Sequence, residues 1–173
     1  MKKRIFMALL AAVSCFAMVS CGDDKNDDPK PSGNVATKAS YGETSTGCYV
    51  EFPQPETEFG ASSTKVEWKW DSNGKVTDHT ATVTCTSAVI AKISYETYMS
   101  EKDGVNEDGI KSVKQSGNNI YVEYEIDENI DTKEEAILAA KGIAYTNGVE
   151  GISLEDLIPS DFTIDDLGDE LSE

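Results

Sequence analysis

Histidine and cysteine have the most reactive side chains in this chain, and both are scarce. The sequence holds one histidine, His79, and four cysteines. Thiol catalysis needs a histidine beside the cysteine to accept its proton, and a zinc site needs about four nitrogen or sulfur ligands. His79 follows Asp78 in a stretch that alternates as a strand does, so we expect an exposed strand residue there. Because the sequence has no GxSxG, HExxH, CxxC or glycine-rich phosphate-binding motif, we predict no catalytic residue, no metal site and no cofactor.

Aromatic side chains are the better candidates for non-covalent recognition. Trp68 and Trp70 fall on one face of a predicted strand, with charged residues on the other face. An outward pair would form a stacking platform for a sugar ring or a protein hot spot, whereas an inward pair would belong to the core. Val66 shares their face, which favours the core. Tyr49 and Tyr121 lie on predicted outer faces and are the better candidates for exposed contacts.

The first 20 residues have the composition of a secretory signal peptide. Three basic residues at positions 2–4 precede an uncharged apolar segment, Ile5–Ser20. This segment has 16 residues, fewer than the roughly 20 that a helix needs to cross a bilayer. A buried N-terminal helix is disfavoured, because a basic cluster, a short apolar run and small residues before a cleavage point occur together.

The residues "MVSC" at the end of the apolar segment resemble the lipobox of bacterial lipoproteins. This resemblance implies cleavage by signal peptidase II before Cys21 and attachment of diacylglycerol to its sulfur, with palmitate-type acyl chains. Met18 stands where leucine is usual in that family and keeps the apolar character. Two or three acyl chains anchor a protein stably, whereas one chain binds a membrane only marginally.

An acidic run follows the predicted lipidation site directly. Asp23, Asp24, Asp27 and Asp28 lie within "CGDDKNDD", which resembles the export signal of lipoproteins that Bacteroidetes-type bacteria display on their outer membrane. The resemblance implies a lipid-anchored protein that faces the cell exterior. The alternative is a solvated tether that its charge keeps away from the membrane.

The charge of the chain excludes two classes of partner. The sequence carries 32 acidic and 15 basic residues, for a net charge of −17. Removal of the signal peptide leaves 12 basic residues against the same 32 acidic ones. Such a chain is not expected to bind nucleic acid or to dock on anionic lipid through a basic patch. Its predicted contact with the membrane is the N-terminal lipid anchor.

Cys48 and Cys85 remain as a pair in the predicted mature chain. Both lie among the apolar residues of predicted strands, and a chain exported from the cytoplasm enters an oxidising compartment. We therefore predict a disulfide between Cys48 and Cys85. The pattern requires at least that both thiols be buried on the same side of the sheet.

The remaining patterns predict an α+β domain. Period-two alternation indicates strands at Thr46–Phe52, Thr64–Trp70 and Lys75–Thr86, and a hairpin at Ile110–Ile126. A capping box at Thr132 and Glu135 begins a helix that ends at Gly148. The segment Ser87–Gly104 fits both a helix and a strand, and its length favours a helix. This order predicts an antiparallel sheet of about five strands with two helices packed on one face.

The sequence thus divides into four parts. These are a signal peptide (1–20), a lipidated cysteine with an acidic flexible tether (21–40), one α+β domain (41–160) and an acidic C-terminal tail (161–173). The expected function is that of a non-catalytic binding module for an extracellular protein or glycan. The alternatives are an inhibitor or immunity-type protein that blocks a secreted enzyme, and an accessory subunit of an envelope complex.

Overall fold

The structure of the protein is a computed structural model that describes residues 35–57, 60–103 and 109–158. The predicted signal peptide, Cys21, the acidic run at 23–28 and the tail at 161–173 lie outside the described residues. The predictions made for them therefore stay predictions.

Six strands form one sheet in which every neighbouring pair is antiparallel, in the order β1-β2-β3-β4-β6-β5. The strands are β1 (Ser40–Thr44), β2 (Gly47–Pro53), β3 (Ser62–Trp70), β4 (Val76–Cys85), β5 (Ile110–Ser116) and β6 (Asn119–Tyr124). Two α-helices, α1 (Ala88–Asp103) and α2 (Lys133–Thr146), and a short 3₁₀ helix at Leu154–Leu157 complete the described fold. The α+β class predicted from the sequence is confirmed, with six strands where about five were expected.

The additional strand is β1, which the sequence pattern does not predict. Its residues, Ser40–Thr44, contain a central glycine and no alternating apolar side chains. β1 pairs with β2 in continuous register, from Ser40 opposite Glu51 to Thr44 opposite Gly47. Tyr41 is its contribution to the hydrophobic core.

The apolar residues of the strands lie on one face of the sheet, here called the core face. Directly opposite residues of neighbouring strands point to the same side, and the register places Cys48 opposite Trp68, and Trp68 opposite His79. The same alignment joins Ala81 to Val122. The period-two patterns of the sequence therefore assigned the strand faces correctly.

Each helix packs with a different cluster of buried strand residues. Small residues of α2, among them Ala136 and Ala140, are fully buried against Val50 and Trp68. Ile90 and Ala91 of α1 pack instead with Val83 and Ile120. The sheet thus carries two separate clusters of buried residues, with the half-buried Val66 touching both.

The helix boundaries follow the polar residues that the sequence analysis identified. Thr132 accepts a hydrogen bond from the Glu135 backbone N–H, and the Glu135 carboxylate accepts one from the Thr132 backbone N–H, which completes the capping box of α2. The Ser87 hydroxyl accepts a hydrogen bond from the Ile90 backbone N–H at the start of α1, so the helical alternative for this segment is the right one. Among the described residues, no helix has both the length and the apolarity needed to cross a membrane.

Candidate functional site

Three rings stack across the core face at its centre. The His79 imidazole lies 4.7 Å from the Trp68 indole at an interplanar angle of 12°. On its other side the Tyr124 ring lies 4.7 Å away at 25°. His79 therefore has an aromatic ring on each face, which corrects the expectation that it is an exposed strand residue. Its position in β4 shares the parity of the buried Ala81 and Val83, which is the sequence signal that pointed to this place.

The His79 stack keeps the imidazole neutral at physiological pH. Burial lowers the pKa of His79 to about 4, and the nearby charge of Asp127 opposes this shift only in part. Burial disfavours the charged imidazolium because the surrounding rings replace water that would solvate it. A histidine with so low a pKa is a weak general base at neutral pH.

Cys48 is equally unsuited to nucleophilic chemistry. Its side chain is 3% exposed, and its thiol donates a hydrogen bond of 3.6 Å to the Ala136 carbonyl oxygen of α2. Burial, with a smaller contribution from the charge of Glu43, raises the pKa of this thiol to about 12. Trp68 lies between Cys48 and His79 in the sheet register, so the two side chains do not form a catalytic pair.

The predicted disulfide between Cys48 and Cys85 is wrong, and both residues are free thiols. They do share the core face, and both are buried. However, Cys48 aligns through Trp68 with His79, and Cys85 lies six positions farther along the same strand, β4. That offset is about 20 Å along the strand and about 10 Å across it, whereas a disulfide needs Cα atoms within about 7 Å.

The two tryptophans belong to the core, so neither offers a stacking platform to a ligand. Trp68 is 3% exposed and Trp70 is 5% exposed. The Trp70 indole N–H donates to the Ser45 carbonyl oxygen at 3.0 Å, and the Lys133 ammonium lies 5.6 Å from its ring centroid. Of the two alternatives for this pair, the structure has the inward one.

The opposite side of the sheet is here called the Tyr121 face, and neither helix cluster includes its residues. The register assigns to it the outward positions of five strands. These positions are Gly47, Tyr49, Glu51, Pro53, Ser63, Lys65, Glu67, Lys69, Asp78, Thr80, Thr82, Thr84, Ser112, Lys114, Ser116, Asn119, Tyr121 and Glu123. Two of them, Gly47 and Ser63, are buried, and the Ser63 hydroxyl accepts a hydrogen bond from the Ala36 backbone N–H at 3.1 Å.

Tyr49 lies on the Tyr121 face but is already held by neighbours. A Cβ atom added to Gly42, directly opposite in β1, would lie 2.6 Å from Cε1 of the Tyr49 ring. The Lys65 ammonium lies over the same ring, 4.7 Å from its centroid. The Tyr49 ring therefore covers the backbone of the edge strand at Gly42 and makes a cation–π contact with Lys65. Tyr49 is half-buried, and its ring is already occupied by these contacts.

Tyr121 is the more accessible aromatic residue of this face. It is 43% exposed, and its hydroxyl accepts a hydrogen bond from the Asn119 side-chain amide at 3.2 Å. Thr82 of β4 and Lys114 of β5 lie directly opposite on its two sides. Tyr121 thus presents an aromatic ring between a hydroxyl and an ammonium group.

The Tyr121 face is electrically balanced, in contrast to the rest of the chain. Its four acidic residues are Glu51, Glu67, Asp78 and Glu123, and its four cations are Lys65, Lys69, Lys114 and Lys111, which reaches Glu123. The Lys65–Glu67 pair is 2.9 Å apart and the Lys111–Glu123 pair 2.7 Å apart. Half-buried threonines at positions 80, 82 and 84 line its middle strand. The whole chain has a net charge of −17, so this neutral face is a distinct region.

A second polar region lies at the end of the sheet where α2 begins. The Asp71 carboxylate accepts hydrogen bonds from the backbone N–H groups of Asn73 and Lys75, and these bonds lower its pKa. The turn at 71–75 is joined to the loop at 127–132 by bonds from the Val76 N–H to the Asp131 carbonyl and from the Lys133 N–H to the Gly74 carbonyl, each 2.7 Å long. This end of the sheet also carries the exposed Asp127 and Glu128.

The comparisons with known proteins add no identification. No model of a protein family, no curated protein and no solved structure matches this chain. Within the described ranges, no three histidine, cysteine, aspartate or glutamate side chains come together as metal ligands.

Proposed function

We propose that this chain is a non-catalytic binding module whose two helices cover the core face of the sheet and whose Tyr121 face binds an extracellular glycan or protein. The observation that carries the proposal is the contrast between this neutral, hydroxyl-rich face and the acidic remainder of the chain. The neutral His79 and the protonated Cys48 support a role without catalysis, because neither is activated.

The chemistry of the Tyr121 face favours a neutral glycan over a protein. Threonine hydroxyls and the Asn119 amide both donate and accept hydrogen bonds, as sugar hydroxyls require. The exposed ring of Tyr121 provides an apolar surface with a polar end, which suits one face of a sugar ring. A polyanionic glycan would be repelled by the net charge of −17.

We further propose that the module is held on the outer surface of an outer membrane by lipid on Cys21. Cys21→Ser is expected to leave an uncleaved, unlipidated precursor, which mass spectrometry of the purified chain would detect. Replacement of Asp23, Asp24, Asp27 and Asp28 by alanine is expected to remove the protein from the reach of protease added to intact cells. Unchanged proteolysis would contradict the export role of the acidic run.

Binding of the full chain to immobilised starch, inulin, desialylated and desulfated mucin glycans, and chondroitin sulfate tests the proposed ligand class. We expect one of the first three to bind and chondroitin sulfate not to bind. Tyr121→Ala should weaken the interaction at least about tenfold, which corresponds to about 1.4 kcal/mol. Tyr145→Ala is the matched control, because Tyr145 is also 43% exposed but lies on α2.

Equal loss of binding in both tyrosine variants would indicate damage that is not specific to the Tyr121 face. Binding that survives Tyr121→Ala would contradict the assignment of this face. A chain that binds none of the glycans would instead favour the protein partner. In that case the same two variants should be tested against candidate extracellular proteins.

The second candidate function is inhibition of a secreted enzyme, and the acidic loop at 127–131, which is hydrogen-bonded to the turn before β4, favours it. The exposed Glu128 lies in the same loop as Asp127 and Asp131, and a set of carboxylates of this kind complements a cationic active-site cleft. Lysozyme, a cationic secreted hydrolase, is a suitable probe. Inhibition by the full chain that is lost in Glu128→Lys and kept in Glu150→Lys would support this alternative, and absence of inhibition would exclude it for that enzyme.

A further inference from the structure

The two edge strands of the sheet differ in how they resist pairing with another strand. β5 carries Lys111 and Lys114 and has an irregular register next to Ile110, both of which discourage an additional strand. β1 has no lysine, no proline and no bulge, and its register with β2 is continuous. Within the described residues β2 is the one strand that pairs with β1, so the described part of the chain leaves the other edge of β1 unpaired.

The residues of β1 complement themselves when two copies are placed antiparallel about Gly42. Ser40 then lies opposite Thr44 of the second copy, and Tyr41 lies opposite Glu43. Paired hydroxyl residues stabilise neighbouring antiparallel strands, and a phenol is a natural donor to a carboxylate. The Tyr41 hydroxyl already donates to Glu43 within its own strand, so this donor and acceptor lie on the same side of β1.

Gly42 removes the steric obstacle at the centre of such a pair. Its missing side chain is replaced on the Tyr121 face by the Tyr49 ring, which lies over the glycine from the neighbouring strand. Two glycines therefore face each other with no side chain between them. Two copies of β5 placed antiparallel about Val113 would bring Ser112 opposite Lys114 and Lys111 opposite Gln115, with two cations close to the axis.

We propose that β1 is a homodimerisation edge, at which two copies of this chain pair antiparallel about Gly42 to form one continuous twelve-stranded sheet. A two-fold axis makes the interface isologous, so each Tyr41–Glu43 contact occurs twice. The acidic chains repel one another over distances comparable to the Debye length, which is about 10 Å at 0.1 M salt and about 3 Å at 1 M. The dimer is therefore stronger at high salt.

Register-specific crosslinking of the full chain tests the geometry. Ser40→Cys and Thr44→Cys chains are mixed and oxidised, because opposite residues have Cβ atoms about 4.5–5.5 Å apart, near the range that a disulfide accepts. We expect a covalent dimer in the mixture and none above the wild-type background in either variant alone. In each of those, the introduced thiols would be about 13 Å apart. Peptide mass spectrometry identifies the joined positions.

Sedimentation equilibrium of the full chain gives the affinity. We expect a dimer whose dissociation constant falls as salt rises, and which Glu43→Lys weakens at least tenfold. Glu96→Lys, on α1, changes the net charge by the same amount as Glu43→Lys and should not weaken the dimer. Lys114→Glu, on the other edge of the sheet, should not weaken the dimer either. Circular dichroism checks that each variant is folded. Three outcomes would overturn the proposal. The chain could remain a monomer at every concentration, Lys114→Glu could weaken the dimer as much as Glu43→Lys does, or the single variants could form crosslinks.

Discussion

His79 lies parallel to Trp68, with ring centroids 4.7 Å apart, although the two residues come from different strands and only Trp68 is fully buried. Tyr124 closes the other side of the imidazole at the same distance. A titratable ring thus fills the gap between the two apolar clusters of the core face. This relationship makes the stability of the fold depend on pH.

Falling pH is expected to destabilise the protein through His79. Its pKa is about 4 in the folded chain and about 6.5 when unfolded. The stabilising contribution of the neutral His79 imidazole is therefore fully present above about pH 6.5. It is lost as pH falls towards 4, because the unfolded chain then binds a proton at His79 more readily than the folded chain does. The loss is about 1–3 kcal/mol, reduced from the full value because the imidazole is partly exposed to solvent.

His79→Phe keeps a ring in the stack and removes the titration. Urea unfolding of both proteins at a series of pH values from 7 to 4 measures the effect. The difference between the two curves isolates His79, since the carboxylates titrate equally in both. Parallel curves would show that the imidazole titrates normally.

The two thiols of the domain should be free and unreactive in the folded state. Cys48 is 3% exposed and Cys85 is fully buried, and burial raises the pKa of both. We expect iodoacetamide to label these two residues only after denaturation, with or without prior reduction. A reductant should leave the melting temperature unchanged. A non-reduced digest that contains a peptide joined between Cys48 and Cys85 would refute the structure's strand register.

The failure of the predicted disulfide shows what alternation can and cannot reveal. A period of two determines which side of a strand a residue occupies, and it correctly put Cys48 and Cys85 on the same face. It does not reveal how far a strand has slid past its neighbours, because that offset depends on turn lengths and on the bulge next to Trp70. Distance within a face therefore could not be predicted.

Two other features depend on neighbours that the sequence does not place side by side. β1 was not predicted because its glycine has no side chain, and the ring that covers it comes from Tyr49 in the next strand. The position of His79 next to Asp78 in a strand predicts exposure to solvent, although Trp68 and Tyr124 make this position suitable for a ring. Helix α2 was predictable because its capping box and its apolar residues are local in the chain.

The capping box of α2 should contribute measurably to stability. Thr132→Ala removes the acceptor of the Glu135 N–H and one hydrogen bond to the Glu135 carboxylate, for a cost of about 1 kcal/mol. Thr97→Ala is the matched control, because Thr97 is exposed within α1 and its hydroxyl donates to the Ile93 carbonyl oxygen of its own helix. The free energy of unfolding of the control, measured by chemical denaturation, should lie within about 0.5 kcal/mol of the wild-type value. Equal costs in the two variants would show that the cap contributes nothing specific.

The contact between Gly42 and Tyr49 should appear as a strong coupling between the two positions. Gly42→Ala places a methyl group 2.6 Å from Cε1 of Tyr49, so the ring must leave its place below Lys65, at a cost of about 1–3 kcal/mol. In a Tyr49→Ala background the three atoms that lie nearest to this methyl group are absent, and alanine is a better strand residue than glycine. We therefore expect Gly42→Ala to be neutral or stabilising there, and the double-mutant cycle to give a coupling of about 1–3 kcal/mol. Denaturation at low protein concentration keeps the chain monomeric, so the cycle reports on the strand pair alone. Additive effects of the two substitutions would mean that the ring does not cover Gly42.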